Sequence, residues 1–172
     1  MKISQNTLNE FVDLLPEKVC KERTRITKKS GFKTWDRAVR KKFGCAIDKW
    51  FCQHFKVRDS KGYVFVEGLN SIPEEFRGSE FFGSKMYPDA ALVMPGGEFK
   101  IAIELDHGSK GSQIRNALTK ASLSAKLGEY NRTIVLFFIE PPKSIASFRK
   151  GSEEEKILKL YQREFNTTLH LL

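Results

Sequence analysis

The chain lacks most of the features that would place it quickly. Its 172 residues hold no run of about 18 apolar residues, so no membrane span is expected. The first residues, MKISQNTLNEF, have no apolar stretch of the secretory kind, and a cytoplasmic protein is expected. Cysteine is scarce: Cys20, Cys45 and Cys52 are an odd number with no CxxC pair. They read as reduced, buried or half-buried thiols. A zinc site made from them and the three scattered histidines is disfavoured. No GxxxxGK[ST], HExxH or GxSxG pattern occurs, so nothing points to a P-loop, a zincin or an α/β-hydrolase. There is no repeat and no low-complexity segment. The length suits a single domain over 1–172.

Positive charge is what the chain has in excess. The net charge is +9, and residues 1–60 carry fifteen bases against seven acids, or +8 of that total. Within them, residues 18–42 (KVCKERTRITKKSGFKTWDRAVRKK) hold eleven bases and two acids. Such a segment attracts a polyanion, because each neutralised phosphate releases counterions. A solvated basic surface would show the same composition. Lys28, Lys29, Lys33, Arg37 and Arg40 are the candidate nucleic-acid contacts here, joined by Lys110, Arg115 and Lys120 further on.

Periodicity orders the rest. Leu8, Phe11, Val12 and Leu15 have helical spacing, and Pro16 is expected to end that helix. An irregular basic arm is expected over 18–33. A long helix is expected over 34–55, with Thr34 as N-cap and Trp35, Val39, Phe43, Ala46, Ile47, Trp50, Phe51 and His54 on one stripe. Both tryptophans therefore read as core residues. Gly44 lies off the stripe. GYVFVEG (62–68) is a short strand, and 69–85 reads as a polar loop in which Phe81 and Phe82 are candidates for a substrate or subunit contact. YPDAALVM (87–94) and EFKIAIELD (98–106) flank Pro95-Gly96-Gly97, a hairpin turn. A helix follows over 110–128, and then TIVLFFIE (133–140), an apolar run typical of a strand buried on both faces. A last helix is expected over about 152–164 and an edge strand over 168–172. The order implies a mixed sheet with helices on both faces.

The hairpin carries the chemistry. A turn centred between Gly96 and Gly97 makes paired residue numbers sum to 193, which sets Asp89 opposite Glu104. Directly opposed Cβ atoms lie about 4.5–5.5 Å apart. Two carboxylates at that spacing repel unless a cation sits between them. Asp106, two residues beyond Glu104, projects from the same face, while Ile101, Ile103 and Leu105 turn inward. Two or three carboxylates suit Mg²⁺, a hard cation that takes oxygen ligands, with Mn²⁺ as a substitute. Ordinary solvated acids at a strand end remain the plainer alternative.

Pro88-Asp89, followed fifteen residues on by Glu104-Leu105-Asp106 after an apolar strand, resembles the PD-(D/E)xK nuclease superfamily over residues 31–140. The resemblance implies a three-layer α/β/α, restriction endonuclease-like fold with an αβββαβ core. In it, 1–33 would be a basic N-terminal helix and arm, 34–140 the core, and 141–172 a C-terminal helix and edge strand. The segment 31–37 (GFKTWDR) is similar to the helix entry of archaeal Holliday-junction resolvases, and Ser112-Gln113 to polar positions at the next helix. The implied function is a Mg²⁺-dependent DNA endonuclease, such as a restriction enzyme or junction resolvase, with RNA as a less expected substrate. Asp89 and Glu104 would bind metal, and Asp36 would assist from the first helix. Asp36 also falls within the apolar stripe near Phe43 and Ile47, although a helix-dipole acid would sit there too.

One departure stands out. The motif's third position is normally lysine, and here it is Asp106. That acid could hold a second metal, or it could mark lost activity and leave a nuclease-fold module that binds nucleic acid without cutting it. Lys85, Lys110 and His107 are the candidate replacements, with Lys110 as a catalytic residue and His107 as a general acid or base. Cleavage of both strands of a duplex would call for a homodimer.

Overall fold

Leu8, Phe11, Val12, Leu15 and Val19 recur at helical spacing, and in the computed structural model all five are buried on one helix, α1 (Gln5–Ser30). The structure describes residues 4–30, 37–67, 70, 73, 76, 80–81, 84–85, 88–97, 99–148 and 152–172; for 22–30, 37–40, 80–81, 84–85 and 152 it describes the backbone alone. Pro16 does not end α1, as its sequence suggested. A proline inside a helix removes one hydrogen bond and costs about 3 kcal/mol. Here the apolar stripe continues past it to Val19, and burying one such side chain returns about 1.5–3 kcal/mol. The expected irregular arm is thus helical as far as Ser30. Lys28 and Lys29 lie in that helix, while Lys33, Thr34, Trp35 and Asp36 fall outside the described residues.

The second helix, α2 (Arg37–Phe55), runs antiparallel to the first. Phe11 of α1 meets Trp50, Phe51 and Phe55 of α2, and His54 hydrogen-bonds the Thr7 carbonyl at 2.9 Å. Strand β1 (Val64–Val66) follows. The expected loop over 69–85 contains a two-residue ladder, β2 (Glu80–Phe81) with β3 (Ser84–Lys85). Then come β4 (Ala90–Val93), β5 (Lys100–Gly108), α3 (Gly111–Leu127), β6 (Arg132–Ile139), α4 (Ser152–Phe165) and β7 (Thr167–Leu171).

Five strands form one mixed sheet in the order β1-β4-β5-β6-β7. The pairs β1–β4 and β4–β5 are antiparallel, whereas β5–β6 and β6–β7 are parallel and joined through α3 and α4. Strand alternation sorts the apolar residues between two cores. Ile101, Ile103, Leu105, Ile134, Leu136 and Phe138 pack with α1 and α2. Val135, Phe137, Ile139, Leu169 and Leu171 pack with α3 and α4 on the opposite face. The protein is therefore α/β, with an open five-stranded sheet between helices. Among the described residues, no helix is long and apolar enough to cross a membrane.

Gly44 has a role that helical periodicity hid. It is buried against β1, and a Cβ built there would overlap the Val66 side chain. Gly44→Ala gains about 1 kcal/mol of helix propensity. Overpacking nevertheless makes the variant about 1–3 kcal/mol less stable in urea unfolding. Adding Val66→Ala opens the space, so the double variant is expected to be more stable than the sum of the two single losses implies.

Candidate active site

The Gly96–Gly97 turn fixes the hairpin register. Both glycines have positive φ, where residues with a Cβ are strained, and the Gly97 N–H donates to the Met94 carbonyl at 2.9 Å. Ala90 pairs with Ile103 and Ala91 with Ala102, so paired numbers sum to 193 as the sequence implied. Asp89 stands one residue before β4 and Glu104 lies within β5, on the face covered by α3. Both are buried, at 5% and 3% exposure.

Each acid has a defined environment. Asp89 Oδ2 accepts the Leu105 N–H at 2.7 Å, which ties the start of β4 to β5. Glu104 Oε2 accepts a hydrogen bond from Lys120 Nζ at 3.1 Å. Glu104 Oε1 is buried and has no hydrogen-bond partner. Burial, and then the neighbouring charge of Asp89, push the Glu104 carboxyl up to about 8, and Lys120 opposes the shift. Partial burial pulls the Lys120 ammonium down, but Glu104, Asp89 and Asp106 outweigh it and raise its pKa. The two shifts pull against each other, since a protonated Glu104 gives Lys120 less support. Asp89 and Asp106 still supply negative charge, so Lys120 stays cationic in either state. The buried pair has more carboxyl groups than positive charge to balance them.

Asp106 is half-buried, and its Oδ1 accepts the His107 N–H at 2.7 Å. It lies in the field of Lys120. Among the described residues, no group of three or more His, Cys, Asp and Glu side chains is arranged to hold a metal ion. The three expected ligands are thus a close pair with a third acid turned toward its own backbone. Tyr130 closes one side. Its hydroxyl donates to the Phe76 carbonyl at 2.9 Å, and burial, followed by the charge of Glu104, raises its pKa.

The remaining candidates are more dispersed. Lys110 is exposed at the start of α3, where its N–H and that of Ser109 donate to Gln113 Oε1 at 2.9 and 3.0 Å. Gln113 thereby caps the helix, which accounts for a polar residue at that position. Arg115 is exposed on α3 and lines a cavity beside α4, away from the acids. His107 Nδ1 hydrogen-bonds Glu140 Oε1 at the end of β6; by strand alternation it belongs to the α1–α2 face. Asp36 lies outside the described residues, as do the side chains of Lys28, Lys29, Arg37, Arg40 and Lys85.

Lys120, expected from the sequence as a nucleic-acid contact, is the one candidate base that the structure brings to the acid pair. It sits at the margin of the buried stripe of α3, beside Ala117 and Ala121. A lone lysine at the edge of an alanine-rich stripe was the available signal. No family model, characterised protein or solved structure matches the chain.

The raised carboxyl predicts a pH effect on stability in the presence of EDTA. Glu104 ionises near 4.5 when unfolded and near 8 when folded, so the folded state holds a proton that the unfolded state has released. Stability should therefore fall as pH rises through that window, by on the order of a few kcal/mol. Glu104→Gln, which cannot ionise, should flatten the slope in urea titrations at pH 5, 6.5 and 8. An equal slope in the variant would assign the effect to other groups.

Proposed function

We propose that this chain is a metal-dependent nuclease that hydrolyses phosphodiester bonds in DNA, acting as an endonuclease. The observation that carries the reading is the buried, register-matched pair Asp89 and Glu104 with Lys120 on one oxygen and nothing on another. An oxygen left without a partner in a buried site normally costs 1–3 kcal/mol, more when charged. A hard cation would satisfy that oxygen and relieve the repulsion that raises the carboxyl. The donor set therefore fits Mg²⁺ or Mn²⁺, with Asp89 and Glu104 as the protein ligands and Asp106 at the margin. When bound, such an ion supplies Lewis-acid stabilisation of charge developing on the phosphoryl oxygens.

The chain's own groups would do the rest. Lys120, half exposed and paired with the buried Glu104, would orient a water or a phosphate oxygen. It would fill the role of the lysine that the motif has lost to Asp106, from a helix instead of the strand. Asp89, held by the Leu105 N–H, would be the second carboxylate on that cation. The basic segment over 18–42 supplies a long-range field for a polyanion.

Plasmid, linear and branched DNA incubated with Mg²⁺ or Mn²⁺ test the reading. Wild type should cut, and Asp89→Ala and Glu104→Ala should not. Lys120→Met should lower the rate by about 10²–10³, with Lys120→Arg retaining part of the activity. Salt-sensitive DNA binding without cleavage, unchanged in the acid variants, would instead identify a binding module. No binding at all would end both readings.

A further inference from the structure

One carboxylate and one guanidinium line the same cavity without pairing. The cavity, of about 440 Å³, lies on the α1 side of the sheet, where β5, β6 and β7 begin. Asp13 reaches it from α1 and is exposed; Arg132, the first residue of β6, is half-buried. By strand alternation Arg132 shares the face of Ile134 and Leu136, under α1 and opposite the acid pair. Among the described residues neither charge has an ion pair, with the other or elsewhere. Arg132 Nε is buried and has no hydrogen-bond partner. A buried donor in that state has given up its hydration without replacement, which destabilises the fold. His170 stands on β7 in the field of both charges. Burial, and then Arg132, hold its imidazole below its ordinary pKa against the pull of Asp13. It is therefore neutral at pH 7, and the charge at the cavity is one of each sign.

The rest of the lining is rich in carboxamides. Gln5, Asn9 and Asp13 follow at four-residue spacing on α1, beside the buried stripe of Leu8, Val12 and Leu15, so one helical face presents all three. Gln5 Nε2 donates to Asn9 Oδ1 at 3.1 Å. Among the described residues, Gln5 Oε1 and Asn9 Nδ2 are left without partners. Asn166, between α4 and β7, donates from Nδ2 to the Asn131 carbonyl, and its Oδ1 is likewise unused. Gln162 of α4 adds a further carboxamide, and Phe99 gives the lining an apolar patch.

We propose that this cavity binds a free α-amino acid as its zwitterion, with the carboxylate on Arg132 and the ammonium on Asp13. A ligand that carries both charges satisfies two groups that do not satisfy each other. A phosphate would meet Arg132 but be repelled by Asp13, and a polyamine would meet Asp13 but be repelled by Arg132. The unused carboxamide donors and acceptors suit a side chain that offers both, such as that of glutamine. The volume falls in the lower part of the range of about 300–1,000 Å³ usual for small-ligand sites. This cavity and the acid pair lie on opposite faces of the sheet, so the proposal does not depend on the nuclease reading.

Isothermal titration of the full chain with L-glutamine and the other common amino acids, offered singly, tests the proposal. At least one with a polar side chain should bind at one per chain. Its N-acetyl and α-amide derivatives each lack one charge and should bind about 10-fold more weakly. Asp13→Asn, at an exposed position, should weaken the parent amino acid by a similar factor and leave the N-acetyl derivative unaffected. Arg132→Gln should do the same with the α-amide as the unaffected ligand. The proposal is overturned if no polar amino acid binds, or if the derivatives bind as tightly as the parent. It is overturned equally if Asp13→Asn changes nothing, or if inorganic phosphate binds where the amino acids do not. Should Arg132→Gln not fold, the Asp13→Asn comparison decides alone.

Discussion

Two carboxyl groups lie side by side under a helix, and much of the site's geometry exists to hold them there. Asp89 and Glu104 repel, and neither reaches water freely. Left to themselves, two such groups would separate or neutralise. What prevents separation is backbone geometry: the glycine turn sets the register, and the Asp89 bond to the Leu105 N–H pins the carboxylate to the neighbouring strand. The partial remedy is Lys120, and the remainder is a standing demand for positive charge.

That demand shapes the α3 face. Strand alternation puts the apolar partners Ile101, Ile103 and Leu105 under α1 and α2, which frees the other face of β5 for polar groups. The α1–α2 hairpin contributes Phe11, Phe43, Phe51 and Phe55 to the larger core, all fully or almost fully buried. The smaller core under α3 and α4 leaves room beside it for the acids and for Tyr130. Stability and the acidic pair are thus assigned to opposite sides of one sheet.

The hairpin was legible in the sequence because a two-glycine turn leaves little freedom of register, and a period-2 strand then fixes every side chain's face. The order of strands and helices was legible for a similar reason: long runs with one period. Three features were not. Pro16 breaks helices by a local rule, and only the burial of Val19 beyond it explains why α1 continues. Gly44 looked like a weak point in a helix, and its contact with Val66 is a long-range one that no window of sequence contains. Lys120 reads in the sequence as a phosphate contact, and its bond to Glu104 was out of view because that partner is sixteen residues away on another element. In each case the deciding contact is tertiary.

The alanines of α3 have a consequence beyond filling the smaller core. Ala117, Ala121 and Ala125 are all buried, and side chains this small allow a helix to approach a sheet closely. A lysine stem has only four methylene groups. The height of α3 therefore works as a spacer that sets how far an ammonium can extend: low enough, and it arrives at a buried carboxylate with its other end still in solvent. The charge balance of the site is in that sense measured out by methyl groups that carry no charge.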